Sequence, residues 1–445
     1  MRTISIGLSL PLSGVYAAIG LQIEAALRLF ASDANAAGGV EVAGERCALE
    51  LEYRDDGSRR DRAREIYRWL AFERRVDVLG GPYSTALTRV AAAVADEAGM
   101  LLVNHGGAGD DLYPNALASD RISDRPRMIV GILSPASTYL NGVIRLIATL
   151  KFWRKRVAIV AAKTPFARAV ALGAERQCNL RRNWLHGVRL RLKFSTRFDP
   201  EQTPEVLLAA IRRNRINAIL SAGNYAHDLA IMALCAASAA NIPVLGCVAA
   251  GVARFGRDLG MDADGIVGPS QWEPDFAIVP ELGPTPGEFA RRMEALGAPE
   301  CDYPAAQAYA AGLLTVAALR NAGATVSAPA SRQGGALDQG RLRAAFADLH
   351  TTTLFGDFAV DPLSGRQIGH QMLLVQWHRG RKVLIDAEPD PDAGAIEFPS
   401  GWRLVLASLH YFRLSGRARG AGEEAPPAET LPKETPDEID DDEKG

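Results

Sequence analysis

The sequence predicts an α/β protein with two doubly wound, Rossmann-like lobes joined by a three-strand hinge. An apolar strand, a short polar turn and an amphipathic helix follow one another repeatedly through residues 4–104, and the same order returns through residues 156–247. The chain of 445 residues is longer than one core normally spans, and its 48% hydrophobic content can fill two cores.

The opening part of the chain predicts four strands that alternate with three helices. The strands are expected at 4–10, 49–53, 76–80 and 100–104, and the helices at about 20–36, at about 60–73 and directly after Thr85. In a parallel sheet the carboxyl ends of the strands share one edge and form a ligand crevice. The residues that follow these strands therefore mark a candidate site, and they include Ser13, Ser84 and the run Asn104-His105-Gly106-Gly107.

The second lobe repeats this pattern, and the chain then crosses between the lobes. Strands are expected at 156–161, 189–194, 218–221 and 243–247, with helices at about 167–182, 204–214 and 226–239. Residues 265–272 are predicted to lead back to the first lobe, and residues 355–362 and 370–377 to form an antiparallel pair in the second. Lobe one is thus predicted at 1–131 plus 272–350, and lobe two at 132–271 plus 351–412.

The C-terminal segment differs sharply in composition from the rest of the chain. From Gly420 onward it contains ten acidic residues, two lysines and four prolines. Such a composition cannot bury a core, so we expect residues 413–445 to be a disordered acidic tail. The remaining chain is mildly basic without a nucleic-acid docking motif, and no nucleic-acid partner is predicted.

Several motifs in the opening lobe resemble one family. They are Leu10-Pro11-Leu12-Ser13-Gly14, the run from Asp33 to Val40, Asp55-Asp56 and Gly80-Gly81-Pro82-Tyr83-Ser84. In this order they resemble the type I solute-binding proteins of bacterial ABC transporters, in the leucine/isoleucine/valine-binding branch, from the first strand to about residue 380. The resemblance implies a non-catalytic receptor whose lobes close over a small solute, with ABC transporter membrane subunits as partners if it is exported.

The resemblance also implies a periplasmic location. Exported members begin with a basic start and an apolar segment, whereas here Met1-Arg2-Thr3 leads directly into the first strand. Either this sequence is a mature or truncated product, or the protein stays in the cytoplasm. In the second case the alternative function is a cytoplasmic small-molecule sensor, of the amide-binding kind, that regulates a protein partner.

Candidate ligand-binding residues of lobe one are Tyr16, Ser84 and Gly106. Ser84 opens a helix, where a hydroxyl and free N–H groups can hold an anion, and its alternative role is that of an N-cap. Gly106 would let backbone amides approach a ligand, or would only form a tight turn. We expect Tyr16 to line the cleft and His105 to be a hydrogen-bonded structural histidine.

Candidate residues of lobe two and the crossings are mostly aromatic. Phe166 and Tyr225 follow strands at the cleft edge, and Trp272 lies at a predicted crossing beside Gln271. Aromatic rings can clamp a ligand there, although packing in a core or hinge is the alternative for each. Gln271, and similarly Asn224, could supply an amide contact.

One departure from the family bears on the ligand. Members that bind α-amino acids usually present an acidic residue after the strand matched here by Val244-Leu245-Gly246, but Cys247-Val248-Ala249-Ala250 follows. Ala108 likewise takes the place of a usual threonine. A ligand ammonium would lack its charge partner, and burying an unpaired charge is costly. The predicted ligand is an amino acid, an amide or a carboxylate-like molecule, and the last two do not depend on an ammonium group.

Enzyme classes are disfavoured by the motifs. The sequence contains no phosphate loop, dinucleotide fingerprint, nucleophile elbow or H-E-x-x-H pair. The five cysteines have no metal or redox spacing and are expected to be buried. We therefore predict no catalytic residues, no metal and no cofactor.

Overall fold

The computed structural model describes residues 2–113, 128–150, 154–196, 203–237, 242–298, 301–322, 325–326 and 336–385. Within these ranges the chain forms two large sheets, of six and seven strands, and two small sheets of two strands each. The first lobe is defined here as the first sheet with the helices packed on it, and the second lobe as the second sheet with its helices. The acidic tail predicted at 413–445 lies outside the described residues.

The first sheet has six strands: β1 (Arg2–Leu10), β2 (Val40–Val42), β3 (Glu45–Asp55), β4 (Val78–Gly80), β5 (Leu102–Asn104) and β6 (Ile129–Gly131). Their order is β2-β3-β1-β4-β5-β6, and all except β2 run parallel. The connecting helices are α1 (Ala17–Ala36), α2 (Arg60–Arg68), which continues as a π-helix at Trp69–Arg74, and α3 (Thr85–Ala98).

Local chemistry explains both a predicted and a missed strand of this sheet. Ile4, Leu8 and Leu10 of β1 are buried, as the near-continuous apolar run of a central parallel strand requires. β2 pairs with β3 through a tight turn in which Ala43 and Gly44 have φ of 54° and 81°. Such a turn usually contains asparagine or aspartate before glycine. Because alanine takes that position here, the sequence pattern did not predict this hairpin.

The second lobe begins after β6. Its elements in order are α4 (Asn141–Thr149), β7 (Lys155–Ala162), α5 (Pro165–Asn179), α6 (Arg181–Leu185), β8 (Val188–Thr196), α7 (Thr203–Asn214), β9 (Ala218–Ala222), α8 (Tyr225–Ala237), β10 (Val244–Cys247), α9 (Arg254–Leu259) and β11 (Val267–Ser270). Short 3₁₀ helices occupy Ala136–Thr138, Val248–Gly251 and Gly260–Ala263, and one in the first lobe occupies Asp110–Leu112, before β6.

The rest of the described chain contributes to both lobes. It contains α10 (Pro286–Ala295), α11 (Tyr303–Ala322), β12 (Thr325–Val326), β13 (Ala336–Leu337), α12 (Gln339–Ala347), β14 (Thr351–Thr353), β15 (Gly356–Phe358), β16 (Leu373–His378) and β17 (Arg381–Ile385). Helix α11 packs against α1 of the first lobe and against α12. β16 and β17 complete the second sheet, whose order is β17-β16-β11-β10-β9-β7-β8. The two predicted doubly wound lobes are confirmed.

The predicted antiparallel pairing of residues 355–362 with residues 370–377 is wrong. β15 pairs with β14, and β16 pairs with β11 and β17, so the two segments join different sheets. Only the turn between them is as expected, with a bridge between Val360 and Gln367. The Asp361 carboxylate holds this turn by accepting hydrogen bonds from the Ser364 N–H at 2.7 Å and hydroxyl at 2.6 Å.

The contacts of residues 351–369 bear on where the last crossing lies. The Gly131 N–H of β6 donates to the Gly365 carbonyl at 2.8 Å, and the Arg343 guanidinium of α12 donates to the Pro362 carbonyl at 3.0 Å. Both contacts join this segment to the first lobe. The residue boundaries of the lobes stay a prediction, and these bonds favour a last crossing near His370 over one at residue 350.

Candidate functional site

The loops after β1 and β3 meet at the carboxyl edge of the first sheet. The Asp55 carboxylate accepts hydrogen bonds from the Leu12 N–H at 2.9 Å, the Gly57 N–H at 2.9 Å and the Ser13 hydroxyl at 2.6 Å. Burial opposes the charge on Asp55, yet these hydrogen bonds lower its pKa. Ser13 is thus occupied in ordering the loop that leads to Tyr16.

Ser84 is placed at the start of α3 with an unusual backbone. Its φ of 117° and ψ of 156° lie in a region that only glycine adopts without strain. Its hydroxyl does not cap α3 and, shielded from solvent, finds no hydrogen-bond partner among the described residues. The structure therefore gives no support to the N-cap role, and it leaves a hydroxyl available at a helix N-terminus.

Gly106 has a packing role that accounts for the glycine. A Cβ atom there would lie 2.1 Å from the Pro82 carbonyl oxygen and 2.7 Å from the Tyr83 Cα. The Gly106 N–H donates to the Asn104 side-chain oxygen at 3.1 Å, and the Gly107 N–H donates to the same atom at 2.8 Å. Both amides are thus engaged, so a ligand contact by Gly106 stays a prediction.

His105 is buried at the end of β5, with 1% of its surface exposed. The expectation of a hydrogen-bonded histidine is wrong, because neither ring nitrogen has a partner within the described residues. Burial lowers its pKa to about 4, so the ring is neutral near pH 7. An unsatisfied imidazole at this edge costs stability and is one of the polar groups that a ligand or water could satisfy.

Three tyrosines of the first lobe lie close together, and one of them, Tyr83, directly precedes Ser84 in the chain. The rings of Tyr16 and Tyr83 meet edge to face with centroids 5.5 Å apart, and the hydroxyls of Tyr83 and Tyr303 lie 3.2 Å apart. Burial raises the pKa of Tyr83 to about 12. Burial also raises the pKa of Tyr303 well above its usual range, and the nearby phenols of Tyr83 and Tyr139 add to the rise.

Tyr139 and Phe166 bring aromatic surface from the second lobe. Their rings meet edge to face with centroids 5.5 Å apart, and Phe166 lies in the first turn of α5. Burial raises the pKa of Tyr139, and the nearby Tyr83 phenol adds to this effect. The site cluster is defined here as Tyr16, Tyr83, Ser84, Tyr139, Phe166 and Tyr303.

Gln271 ties the crossings together and holds Tyr139. Its side-chain N–H₂ donates to the Tyr139 hydroxyl at 2.9 Å, and its side-chain oxygen accepts from the Ser134 N–H at 3.2 Å. A ring nitrogen of His370 lies 3.0 Å from the Ser134 hydroxyl, and the other lies 3.0 Å from the Gln271 carbonyl oxygen. Three distant chain segments therefore meet in one network, as a hinge requires.

Trp272 and Tyr225 are placed in other surroundings. Trp272 is 1% exposed and packs edge to face on Phe289 with centroids 5.9 Å apart, which is hinge or core packing. The Tyr225 hydroxyl donates to Asp258 at 2.8 Å, and the Arg254 guanidinium lies 5.2 Å from its ring centroid. Asn224 caps α8 by accepting from the His227 N–H at 2.9 Å. Ligand roles for these residues stay predictions without added support.

The geometry agrees with one protein family. The sequence profile of the periplasmic binding protein family matches residues 3–382. The chain belongs to the periplasmic binding protein family. Within the part of the chain that the structure describes, no helix is both long and apolar enough to span a membrane.

Solved structures of similar fold include several transport receptors. A branched-chain amino acid transporter substrate-binding protein from Streptococcus pneumoniae, in complex with isoleucine, has a TM-score of 0.65 at 17% identity, covering 86% of this chain and 100% of that chain. A Rhodopseudomonas palustris BisB5 solute-binding protein with 3,4-dihydroxybenzoic acid has a TM-score of 0.63 at 18% identity, covering 87% and 99%. An R. palustris solute-binding protein with benzoate has a TM-score of 0.63 at 20% identity, covering 87% and 97%. At these identities the likeness shows the fold alone.

Sequence reasoning missed three tyrosines of this periplasmic binding protein's cluster. Tyr83 could have been found, since it directly precedes Ser84 at a strand end. Tyr303 begins a helix, a position at which no motif marks a ligand contact. Tyr139 lies in a turn after a crossing, and only tertiary packing brings it near the other two.

Proposed function

We propose that this chain is the substrate-binding protein of an ABC transporter of the branched-chain amino acid type, acting in the periplasm without catalysis. Its two lobes close over a small organic carboxylate with an apolar or aromatic body. The observation that carries the proposal is the pairing of the Tyr83 and Tyr303 hydroxyls, which Tyr139 of the second lobe influences, together with the unpartnered hydroxyl of Ser84, which directly follows Tyr83 in the chain.

The hydroxyl groups of the site cluster offer hydrogens that the described residues do not use. Tyr139 accepts from Gln271, so its own O–H remains available to a ligand. In the pair of Tyr83 and Tyr303 either hydroxyl can donate to the other, which leaves the hydrogen of one of them free. With Ser84 this makes three O–H donors. A carboxylate is acceptor-only and matches such a set, because O–H···O⁻ hydrogen bonds are strong.

The rings of the site cluster offer apolar surface for the body of the ligand. Two edge-to-face pairs, Tyr16 with Tyr83 and Tyr139 with Phe166, come from opposite lobes. Closing them over an apolar group removes a large apolar area from water and favours the closed state. A ring or a branched alkyl group fits this chemistry.

The cluster offers no obvious partner for an α-ammonium group. The segment after β10, Val248–Gly251, carries no carboxylate. The nearby Asp302 carboxylate is already engaged, since it accepts from the Ala253 and Tyr303 N–H groups. This favours the carboxylates bound by the two R. palustris proteins, benzoate and 3,4-dihydroxybenzoate, over the isoleucine bound by the S. pneumoniae protein.

A thermal-shift panel tests this function directly. It would contain benzoates, branched aliphatic acids, their amides and the corresponding α-amino acids. We expect carboxylates without an ammonium group to raise the melting temperature and amides to do so weakly. The paired variant Ser84→Gly with Tyr303→Phe is the control, and it should abolish the shift while remaining folded. If no member of the panel stabilises the protein, or if the paired variant responds like the parent, the proposal is wrong.

A further inference from the structure

A buried cluster of three charges lies between the lobes, apart from the residues of the site cluster. It consists of Lys382, Glu273 and Asp302, whose side chains are 11%, 8% and 4% exposed. The Lys382 ammonium lies 2.7 Å from the Glu273 carboxylate and 3.5 Å from the Asp302 carboxylate. It also donates to the Gly251 carbonyl oxygen at 2.7 Å. We call these three residues the charge cluster.

The charge cluster joins elements of both lobes. Lys382 belongs to β17 of the second sheet. Asp302 precedes α11 of the first lobe, where its own N–H donates to the Gln22 side chain of α1 at 3.2 Å. The Asp302 carboxylate in turn accepts from the Ala253 N–H, in the second lobe, at 2.8 Å. One first-lobe carboxylate is thus bound by two separate elements of the second lobe.

The electrostatics of the charge cluster require all three members. Burial opposes the charge on Lys382, yet the carboxylates of Asp302 and Glu273 raise its pKa above the ordinary value. Burial raises the pKa of Glu273, and Lys382 only partly offsets this. Without Lys382, the Glu273 and Asp302 carboxylates would lie in a buried site with no cation between them. Removing one partner of a buried ion pair strongly destabilises the folded protein.

The charge cluster also contacts the ligand site through one residue. The Asp302 carboxylate accepts from the N–H of Tyr303 at 2.9 Å, and the Tyr303 hydroxyl lies 3.2 Å from that of Tyr83. Holding Asp302 against the second lobe therefore also fixes the start of α11, and with it the position of the Tyr303 phenol.

We propose that Lys382 and Asp302 form an interlobe lock that favours the closed arrangement before any ligand arrives and positions Tyr303 for binding. The part concerning affinity rests on the proposed function, whereas the part concerning closure does not. The lock stabilises the closed arrangement, so its loss should open the ligand-free protein. The apparent ligand affinity should then decrease by the same factor as the fraction of closed molecules decreases.

Distance measurement between spin labels on the two lobes tests closure without a ligand. Labels at the exposed positions Glu73→Cys and Arg176→Cys, in a full-length chain carrying Cys301→Ser, report the lobe separation. We expect Lys382→Met to shift the distance distribution toward longer values, and Lys382→Arg to keep it near the parent. If Lys382→Met leaves the distribution unchanged, there is no lock.

Lys155 provides a matched control for the loss of a buried lysine. It is 6% exposed, and its ammonium donates to the Ala148 and His186 carbonyl oxygens at 2.9 and 2.6 Å, all within the second lobe. Lys155→Met should lower the melting temperature without changing the lobe distance. An equal distance change in Lys155→Met would attribute the effect to general destabilisation and contradict the lock.

A rescue variant separates electrostatics from packing. Adding Glu273→Gln to Lys382→Met removes one of the two carboxylates that would repel each other, so we expect the closed population to recover in part. With a ligand from the panel, Lys382→Met should weaken binding about tenfold or more, and the rescue should restore part of it. No recovery of closure in the double variant would contradict the electrostatic basis of the lock.

Discussion

The hydroxyl oxygens of Tyr83 and Tyr303 lie 3.2 Å apart although 220 residues separate them in the chain. One follows β4 and the other begins α11, so the contact exists only when α11 is packed on the first sheet. Both phenols are neutral hydrogen-bond donors at physiological pH, and burial raises their pKa values further above the usual value. In such a pair one hydroxyl donates its hydrogen bond to the other, and the second hydroxyl can donate its own hydrogen to a ligand.

Replacing Tyr303 with phenylalanine should therefore weaken ligand binding more than folding. Loss of one hydrogen bond in a desolvated site costs about 1–3 kcal/mol, or roughly tenfold to a hundredfold in affinity. Titration calorimetry measures this effect. Tyr53→Phe is the control, because the hydroxyl of Tyr53, on β3, donates to Glu24 of α1 at 2.7 Å and does not belong to the site cluster. Equal losses in the two variants would remove Tyr303 from the site.

Ser84 should show opposite effects on stability and on binding. Its φ of 117° suits glycine, so Ser84→Gly should relieve strain and raise the free energy of unfolding by about 1 kcal/mol. The same change removes the unpartnered hydroxyl and should weaken ligand binding. Ser84→Ala keeps the strain and loses the hydroxyl, so it should weaken binding without the gain in stability. Urea unfolding and calorimetry check both effects, and a destabilised Ser84→Gly variant would contradict this reading.

The buried His105 should make folding sensitive to acid. Burial lowers its pKa from 6.5 to about 4. The unfolded chain takes up a proton below pH 6.5 and the folded chain only near pH 4, so the free energy of unfolding decreases as the pH falls through this window. A difference of about 2.5 in pKa corresponds to about 3 kcal/mol. We expect His105→Asn to lose this part of the pH dependence in urea unfolding at pH 7 and pH 4, and an unchanged dependence would count against it.

Gly106 should matter for packing. An added Cβ would lie 2.1 Å from the Pro82 carbonyl oxygen, and overpacking of this kind costs about 1–3 kcal/mol. Gly106→Ala should therefore lower the melting temperature. Gly99→Ala is a useful comparison, since Gly99 has a positive φ of 62° but open space around its Cβ position. A smaller loss in Gly106→Ala than in Gly99→Ala would contradict the steric argument.

The repeated order of strand, turn and helix was sufficient to predict the lobes, because each parallel strand such as β1 or β7 is a buried apolar run. The same logic predicted that Ser84 would lie at a strand end. It failed where pairing is set by tertiary contacts. β15 is too short to choose a partner by its own pattern, and it joins β14 instead of β16.

The site was only partly predictable for a similar reason. Tyr16 and Phe166 were predicted because they follow strand ends. Tyr303 joins the cluster because α11 packs on the first lobe, and Tyr139 joins it through its hydrogen bond with Gln271. Gln271 was predicted to touch ligand, but its side chain is engaged by Tyr139 and Ser134. Local sequence shows which strand ends carry polar groups, but it does not show which partners already satisfy them.

Calorimetry with matched ligand pairs shows whether the protein prefers a carboxylate without an ammonium group. Each pair would contain an α-amino acid and its deaminated acid, such as leucine with 4-methylpentanoate, with benzoate and benzamide as a second pair. We expect the deaminated acid to bind at least as tightly as the amino acid, and benzoate to bind more tightly than benzamide, because the site cluster offers O–H donors and no free carboxylate. Tight binding of leucine that is lost on deamination would contradict this account of the site.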